Sequence, residues 1–417
     1  MNAPTHHAQR TAHLATAGTG RMPRAVHAVL ADCTARDDRL GPRALQQHLD
    51  TLPGPTVHQR LGRLLGVPAR DTTLTTGAAD AFEAFLSRLT PGPGEHIWTT
   101  PHEDVAHLSA LTALRDRTRC TLDVVPLRPD GDLDLDWMRT RIGPHVALVS
   151  VTHVSSACGT VNPVEEIGRI LAPHRARYAL DASHSAGLLP LDAARIGCHL
   201  LAADGWRFLR GPHDTGFAYT APTAPTAPTA PTAPTAPAAP TAGGAPTAPA
   251  PAPAAAAALN AALAHHSAAP AHPAEDLLPR LRATLLGISG IELLPAGREQ
   301  APILAFRHRE IPAARLRRAL ARRDVILCKT VAAQNPLHPA GQGGATAVRA
   351  SLHPGNTVHD IDRLGQALRE VLREERHTAA PAAPRLAAAA AGHGLDHPTP
   401  RPAHPVRRGH LTLHRTP

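Results

Sequence analysis

Between residues 60 and 219, short apolar runs alternate with segments whose apolar positions recur at helical spacing. That alternation is how βα units of a mostly parallel sheet appear in a sequence. Val146 to Val151 is apolar but for one serine and reads as a strand covered on both faces. Pro163 to Leu171 follows as a helix, its proline suited to a first helical turn. Tyr178 to Leu180 reads as the next strand and ends at Asp181, the edge where an open α/β sheet presents functional side chains.

Further on, the pattern becomes that of a smaller α+β unit. Ile291 to Leu294, Ile303 to Phe306, Val325 to Leu327 and Val348 to Leu352 read as strands. Pro312 to Arg322 reads as a basic amphipathic helix, and Val358 to Glu374 as another, opened by Thr357 and Asp360 in a variant capping box. The expected organisation is a flexible N-terminus (1–13), a large α/β domain (14–219), a low-complexity linker (220–257), a small α+β domain (258–376) and a basic tail (377–417).

The linker is a Thr-Ala-Pro repeat, and the tail is rich in Ala, Pro, Arg and His. Proline blocks helix and sheet hydrogen bonding, and neither stretch has enough apolar side chains to offset ordering entropy, so both are expected to be extended or disordered. The formal charge of +9 is partly the tail's, where five arginines face one aspartate, Asp396. With 2% aromatic residues and no basic stripe, nucleic-acid binding is not expected. Five cysteines (33, 120, 158, 198, 328) lack any Cys-x-x-Cys spacing, and the histidines, His107 and His153 included, show no ligand spacing. Reduced thiols in a cytoplasmic protein with no metal site are expected, and no run is apolar enough for a signal or a membrane span.

Six motifs carry the chemistry. Thr16-Ala17-Gly18-Thr19-Gly20 opens the chain; Leu74-Thr75-Thr76-Gly77-Ala78 is a strand-to-helix turn; Ser150 to Ser156 precedes Gly159-Thr160-Val161-Asn162-Pro163. Asp181-Ala182-Ser183-His184 ends a strand, Gly205-Trp206-Arg207 begins a loop, and Val348-Arg349-Ala350-Ser351 lies near the C-terminal helix. In order and spacing these resemble the class V aminotransferase and cysteine desulfurase family of fold type I, nearest its isopenicillin epimerase-like and ergothioneine-pathway carbon-sulfur lyase branch.

The resemblance implies pyridoxal phosphate (PLP) as cofactor, a small amino acid-like substrate and a homodimer. By the same resemblance Gly77 and Ala78 lie at the phosphate turn, where free amides and the helix dipole favour an anion. Asp181 is implied as partner of the ring nitrogen, His184 and Ser156 as neighbours of the ring hydroxyl, and Trp206 as a pocket wall. Asp104 stands where relatives stack a ring on the cofactor, and Arg349 where they clamp the substrate carboxylate. Strand-end capping for Asp181 and a buried structural role for His184 are the alternatives.

Arg207 stands at the position of the Schiff-base lysine. A guanidinium stays protonated and cannot capture an aldehyde, so covalent cofactor binding is not expected. By the same resemblance, Ala79 and Asp204 stand where relatives place hydroxyl residues of the phosphate site. The chain's one lysine, Lys329, and the neighbouring Cys328 are remote candidates for amine and nucleophile. Three functions follow: a degenerate relative without the Schiff base that binds a small amino acid-like or phosphorylated ligand, or a protein partner, in the old cleft; an active enzyme holding PLP or pyridoxamine phosphate non-covalently, with Arg207 as an electrostatic group and His184 as proton carrier; or a scaffold acting through its linker and tail.

Overall fold

The computed structural model describes residues 11–222, 248–268, 273–330, 333–339 and 346–379. The Thr-Ala-Pro repeat at 223–247 and the tail from 380 lie outside them. The strands are β1 (Ala12–Leu14), β2 (Thr72–Thr75), β3 (His96–Thr99), β4 (Thr121–Val124), β5 (Val146–Thr152), β6 (Arg177–Asp181), β7 (Leu200–Asp204), β8 (Gly216–Thr220), β9 (Ile291–Leu293), β10 (Ile303–His308), β11 (Val325–Thr330) and β12 (Ala347–Ser351). The helices are α1 (Arg24–Leu40), α2 (Pro42–Asp50), α3 (Val57–Leu65), α4 (Ala78–Leu86), α5 (Val105–Thr118), α6 (Leu135–Arg141), α7 (Val164–Leu171), α8 (Ala193–Ile196), α9 (Pro253–Ser267), α10 (Pro273–Leu286), α11 (Ala313–Ala321) and α12 (Val358–Ala379).

Seven strands form one sheet in the order β2, β8, β7, β6, β5, β3, β4. Neighbours from β7 through β4 are parallel, because helices carry the chain back between strands; β8 follows β7 through a short loop and so runs antiparallel to it. All but one residue of β5 are buried, as a strand covered on both faces requires. Trp98, Val149, Leu180 and Phe217 fill the core on one face, and Phe82, Leu111, Leu148 and Ala179 the core on the other. The second sheet, ordered β1, β11, β12, β10, β9, packs its own core of Leu304, Phe306, Leu316, Val348 and Leu368. The compact unit that holds both sheets ends at Glu374; the described residues beyond it are the last turn of α12.

Three expectations are corrected. Ala12 to Leu14, placed with the flexible N-terminus and the large domain, instead form a parallel strand on β11 of the small sheet. The low-complexity linker ends early, because α9 begins at Pro253: past that proline the chain is an alanine run, the best helix former, with Leu259 and Leu263 four residues apart on one face. Those leucines sit in the core of the seven-stranded sheet and Ala258 and Ala262 pack on Val26 of α1, so by packing α9 goes with the large sheet and not with the small domain. Pro163 and Pro312 are N-caps, one residue before the helices they were expected to start.

Candidate functional site

Two parallel strands deliver acidic residues to one edge of the sheet: β6 ends in Asp181 and β7 in Asp204. Opposite Asp204 stands the first turn of α4, whose free amides follow from helix geometry. Asp204 Oδ1 accepts from the Ala78 amide at 3.0 Å, and Oδ2 accepts from Nε of Arg207 at 2.8 Å. A carboxylate is favoured at this position by the helix dipole and by the guanidinium beside it. Arg207 in turn donates from Nη1 to the carbonyl of Ala17 at 2.7 Å, which fastens the opening segment over the loop. Gly20 donates to Trp206 O at 2.8 Å in the same contact. The Thr76 amide, one residue before Gly77, donates to the Pro249 carbonyl at 3.0 Å, so the described end of the proline-rich stretch also reaches this turn. Gly77 brings its backbone against the Trp206 ring and the Asp204 carboxylate, where an added Cβ would stand 3.4 and 3.6 Å from them.

At the other strand end Asp181 is buried, with Oδ1 accepting from the Ser183 amide at 2.9 Å and Oδ2 3.6 Å from Nδ1 of His107. That nitrogen also lies 3.3 Å from Glu103, ion-pair contacts rather than aligned hydrogen bonds. Glu103 accepts from the hydroxyls of Thr99, Ser150 and Thr152 at 3.0, 2.8 and 3.1 Å. The His107 ring stacks on Phe82 with centroids 4.2 Å apart. Burial opposes a charge on His107, but the carboxylates of Asp181 and Glu103 outweigh it and raise its pKa to about 9. Burial pushes Asp181 up against the pull of His107. Glu103 is equally buried, yet His107 and the hydroxyls hold it below the usual carboxylate range.

His184 is also buried; its Nε2 donates to the Ala17 carbonyl at 3.1 Å, and its Nδ1 has no hydrogen-bond partner. Burial, then the charges of Arg207 and Arg349, drive its pKa well down, so the ring is neutral. The Ser156 hydroxyl donates to Asn335 at 2.8 Å, and its carbonyl accepts from Nη1 of Arg349, which is buried with Nε unpartnered. Asp104 caps α5, accepting from the Ala106 amide at 3.0 Å. Lys329 is exposed on β11, and the Cys328 thiol donates to the Ala15 carbonyl at 3.5 Å. His153 is buried, which lowers its pKa to about 4.

The fold thus brings Gly77, Ala78, Asp204, Trp206 and Arg207 together, and the Ala17 carbonyl, shared by Arg207 and His184, joins this group to the Asp181 strand end. His107, read from the sequence only as showing no ligand spacing, is instead the buried ion-pair partner of Glu103 and Asp181. The motif reading passed over a second gathering, in which a ring nitrogen each of His102 and His338 and the Cys158 sulfur lie within 4.8 Å of one another. No spacing in the chain announces that cluster.

Two sheets of this topology, with an acidic strand end facing a helix N-terminus, define a fold type I transferase architecture. The chain belongs to the aminotransferase class-V family, whose model matches residues 55–364. Among similar proteins are a probable cysteine desulfurase of Halalkalibacterium halodurans, 31% identical over 145 residues (35% of this chain, 36% of the relative). The cysteine desulfurase IscS of Mannheimia succiniciproducens is 31% identical over 161 residues (37% and 39%). The chain thus matches well under half the length of these two relatives. Among solved structures, the apo cysteine desulfurase of Thermococcus onnurineus has a TM-score of 0.74 at 18% identity, covering 87% of this chain and 95% of that one. A lysine-to-alanine variant of C-DES with glycine covalently linked to its PLP cofactor has 0.70 at 21% identity, covering 86% and 96%. Among the described residues no helix is long and apolar enough to cross a membrane.

Family membership supports pyridoxal phosphate as cofactor. The residues present fit it at one end only. Asp181 keeps a buried carboxylate at the strand end and His184 a free ring nitrogen. The phosphate end does not fit, because a side-chain carboxylate already takes the Ala78 amide and a backbone carbonyl takes that of Thr76. Among the described residues no lysine stands beside Asp181 or Asp204: the chain's one lysine is the exposed Lys329.

Proposed function

We propose that this chain is a degenerate member of its family, with a cleft closed by its own groups in place of Schiff-base chemistry. The observation that carries the reading is the Asp204 carboxylate, bonded at once to the Ala78 amide and to Arg207. It occupies an amide donor that a phosphate dianion would need at this turn, and its other oxygen is taken by Arg207. Arg207 then acts as a tie: it neutralises Asp204 and holds Ala17 at the mouth of the cleft. Desulfurase chemistry, the activity in the relatives' names, finds no free nucleophile in Cys328, whose thiol is turned to a backbone carbonyl.

A second reading keeps the cleft active on a small amino acid-like molecule with PLP or pyridoxamine phosphate held non-covalently. The unpartnered Nδ1 of His184 and Nε of Arg349 favour it, as donor or acceptor sites for such a ligand. In that reading His184 moves a proton, Arg349 holds a carboxylate, and the protein forms a homodimer.

Titration of the full-length protein with PLP and with pyridoxamine phosphate, followed by absorbance, calorimetry and borohydride trapping, separates the two. The proposal expects neither tight binding nor a reducible adduct. Tight non-covalent binding supports the second reading, and a trapped adduct on any residue overturns the proposal.

A further inference from the structure

We propose that His102, Cys158 and His338 bind one zinc ion, at a site separate from the Asp204 and Arg207 pair. The three come from the turn between β3 and α5, the loop between β5 and α7, and the stretch after β11. All three are buried, with 1%, 1% and 6% of their surface exposed, and their ligand atoms lie within 4.8 Å of one another. The Cys158 sulfur is 3.6 Å from Nε2 of His338. Tetrahedral zinc with ordinary Zn–N and Zn–S bonds holds nitrogen and sulfur about 3.6 Å apart, so this pair already has the spacing of two ligands.

The surroundings are those of a held site. Asn162 fixes His102: its Nδ2 and Oδ1 lie 3.0 and 3.2 Å from Nδ1 of the ring, while Nδ2 also donates to Thr152 O at 2.6 Å. In the tautomer that gives Nδ1–H to Oδ1, the lone pair is on Nε2, which is buried and has no hydrogen-bond partner. A ligand histidine whose other nitrogen is tied by an amide is the usual outer-shell arrangement of a metal site. The hydroxyls of Thr160 and Ser155 stand 3.1 and 3.5 Å from the Cys158 sulfur, placed to donate to a thiolate. Asn335 ties the His338 stretch down through bonds to the carbonyls of His102 and Glu103 at 3.3 and 3.1 Å.

Two imidazoles and a thiolate select zinc among the abundant divalent ions, and three protein ligands leave a fourth position for water. Binding releases the Cys158 proton to solvent, and the ion takes up the thiolate and the two ring lone pairs.

The test uses untagged full-length protein, stripped with chelator, reloaded with zinc, desalted and assayed by mass spectrometry for metal per chain. Roughly one zinc per chain is expected in the wild type and in Cys328→Ser, and less than about a tenth of that in Cys158→Ser and His338→Ala. Asn162→Ala, which removes only the positioning bond, should weaken affinity at least about tenfold. Cobalt in place of zinc should give a thiolate-to-metal charge-transfer band in the wild type that Cys158→Ser lacks. Circular dichroism checks that each variant is folded. Folded wild type that keeps no zinc overturns the proposal, and so does zinc that survives Cys158→Ser without a thiolate band, which is the result that binding by the histidines of the tail would give.

Discussion

Asp181, at the end of β6, holds its carboxylate 3.6 Å from Nδ1 of His107 on α5, and the pair is buried. The acid that ends β6 therefore has a cationic partner from within the chain. Glu103, on the other side of the imidazole, supplies a second carboxylate, so the ring is charged over most of the ordinary pH range.

The first prediction follows from that charge. A histidine in the unfolded chain titrates near 6.5, and His107 in the fold near 9. The folded state therefore binds the proton more tightly: the stabilisation is complete below 6.5 and is lost as pH rises through about 9. At full extent it is on the order of 3 kcal/mol. Thermal melts should show stability falling more steeply between pH 6.5 and 9 in the wild type than in His107→Gln. Parallel slopes would mean that the ring is not charged in the fold.

The Asp204 carboxylate stands in for an external anion at the N-terminus of α4. Asp204→Ala frees the Ala78 amide and leaves Arg207 unpaired, so a loss of about 1–3 kcal/mol is expected in denaturant unfolding. Inorganic phosphate should then raise the melting temperature of the variant and leave the wild type unchanged. Equal response of both proteins would show that the carboxylate does not guard this turn.

Arg207→Lys alone should do little, since the variant still has Asp204 across from the new amine. The double variant Asp204→Ser with Arg207→Lys regains both an amine and a hydroxyl next to the freed amides. A reducible PLP adduct is expected in the double variant and not in Arg207→Lys. An adduct in the single variant would show that the phosphate end was open all along.

Gly20 lies so close to the Arg207 loop that an added Cβ would overlap the carbonyl of Arg207 and come within 2.7 Å of Cγ of Arg210. Gly20→Ala should therefore lift the opening segment away and cost about 1–3 kcal/mol. Faster proteolysis near residue 20 than in wild type is the readout.

Leu259 of α9 is fully buried. Leu259→Ala is expected to cost about 2–5 kcal/mol. Leu286, 58% exposed, is the control and should change stability by less than about 0.5 kcal/mol. If both substitutions cost the same, α9 does not contribute to the core of the large sheet.

Much of the fold was legible in advance. The strands β5, β6, β10 and β12 and the helix α12 sit within a few residues of where apolar periodicity put them, because that periodicity is a local property of backbone geometry. The capping role read for Asp360 is likewise local: its carboxylate accepts from the Thr357 amide at 2.8 Å. Composition misled where it was averaged too broadly: the alanine run after Pro253 was read with the proline repeat before it, yet past Pro253 no proline interrupts α9.

The sequence by itself determined that Arg207 offers no amine, since side-chain chemistry needs no coordinates. It also determined that Asp181 ends a strand. Only the tertiary structure decided the partners: Asp204 with Ala78, Asp181 with His107, and His102 with Cys158 and His338. Those residues are far apart in the chain, and hydrogen bonds and ion pairs form between whichever groups the packing of two sheets sets side by side. Periodicity carries no record of that choice.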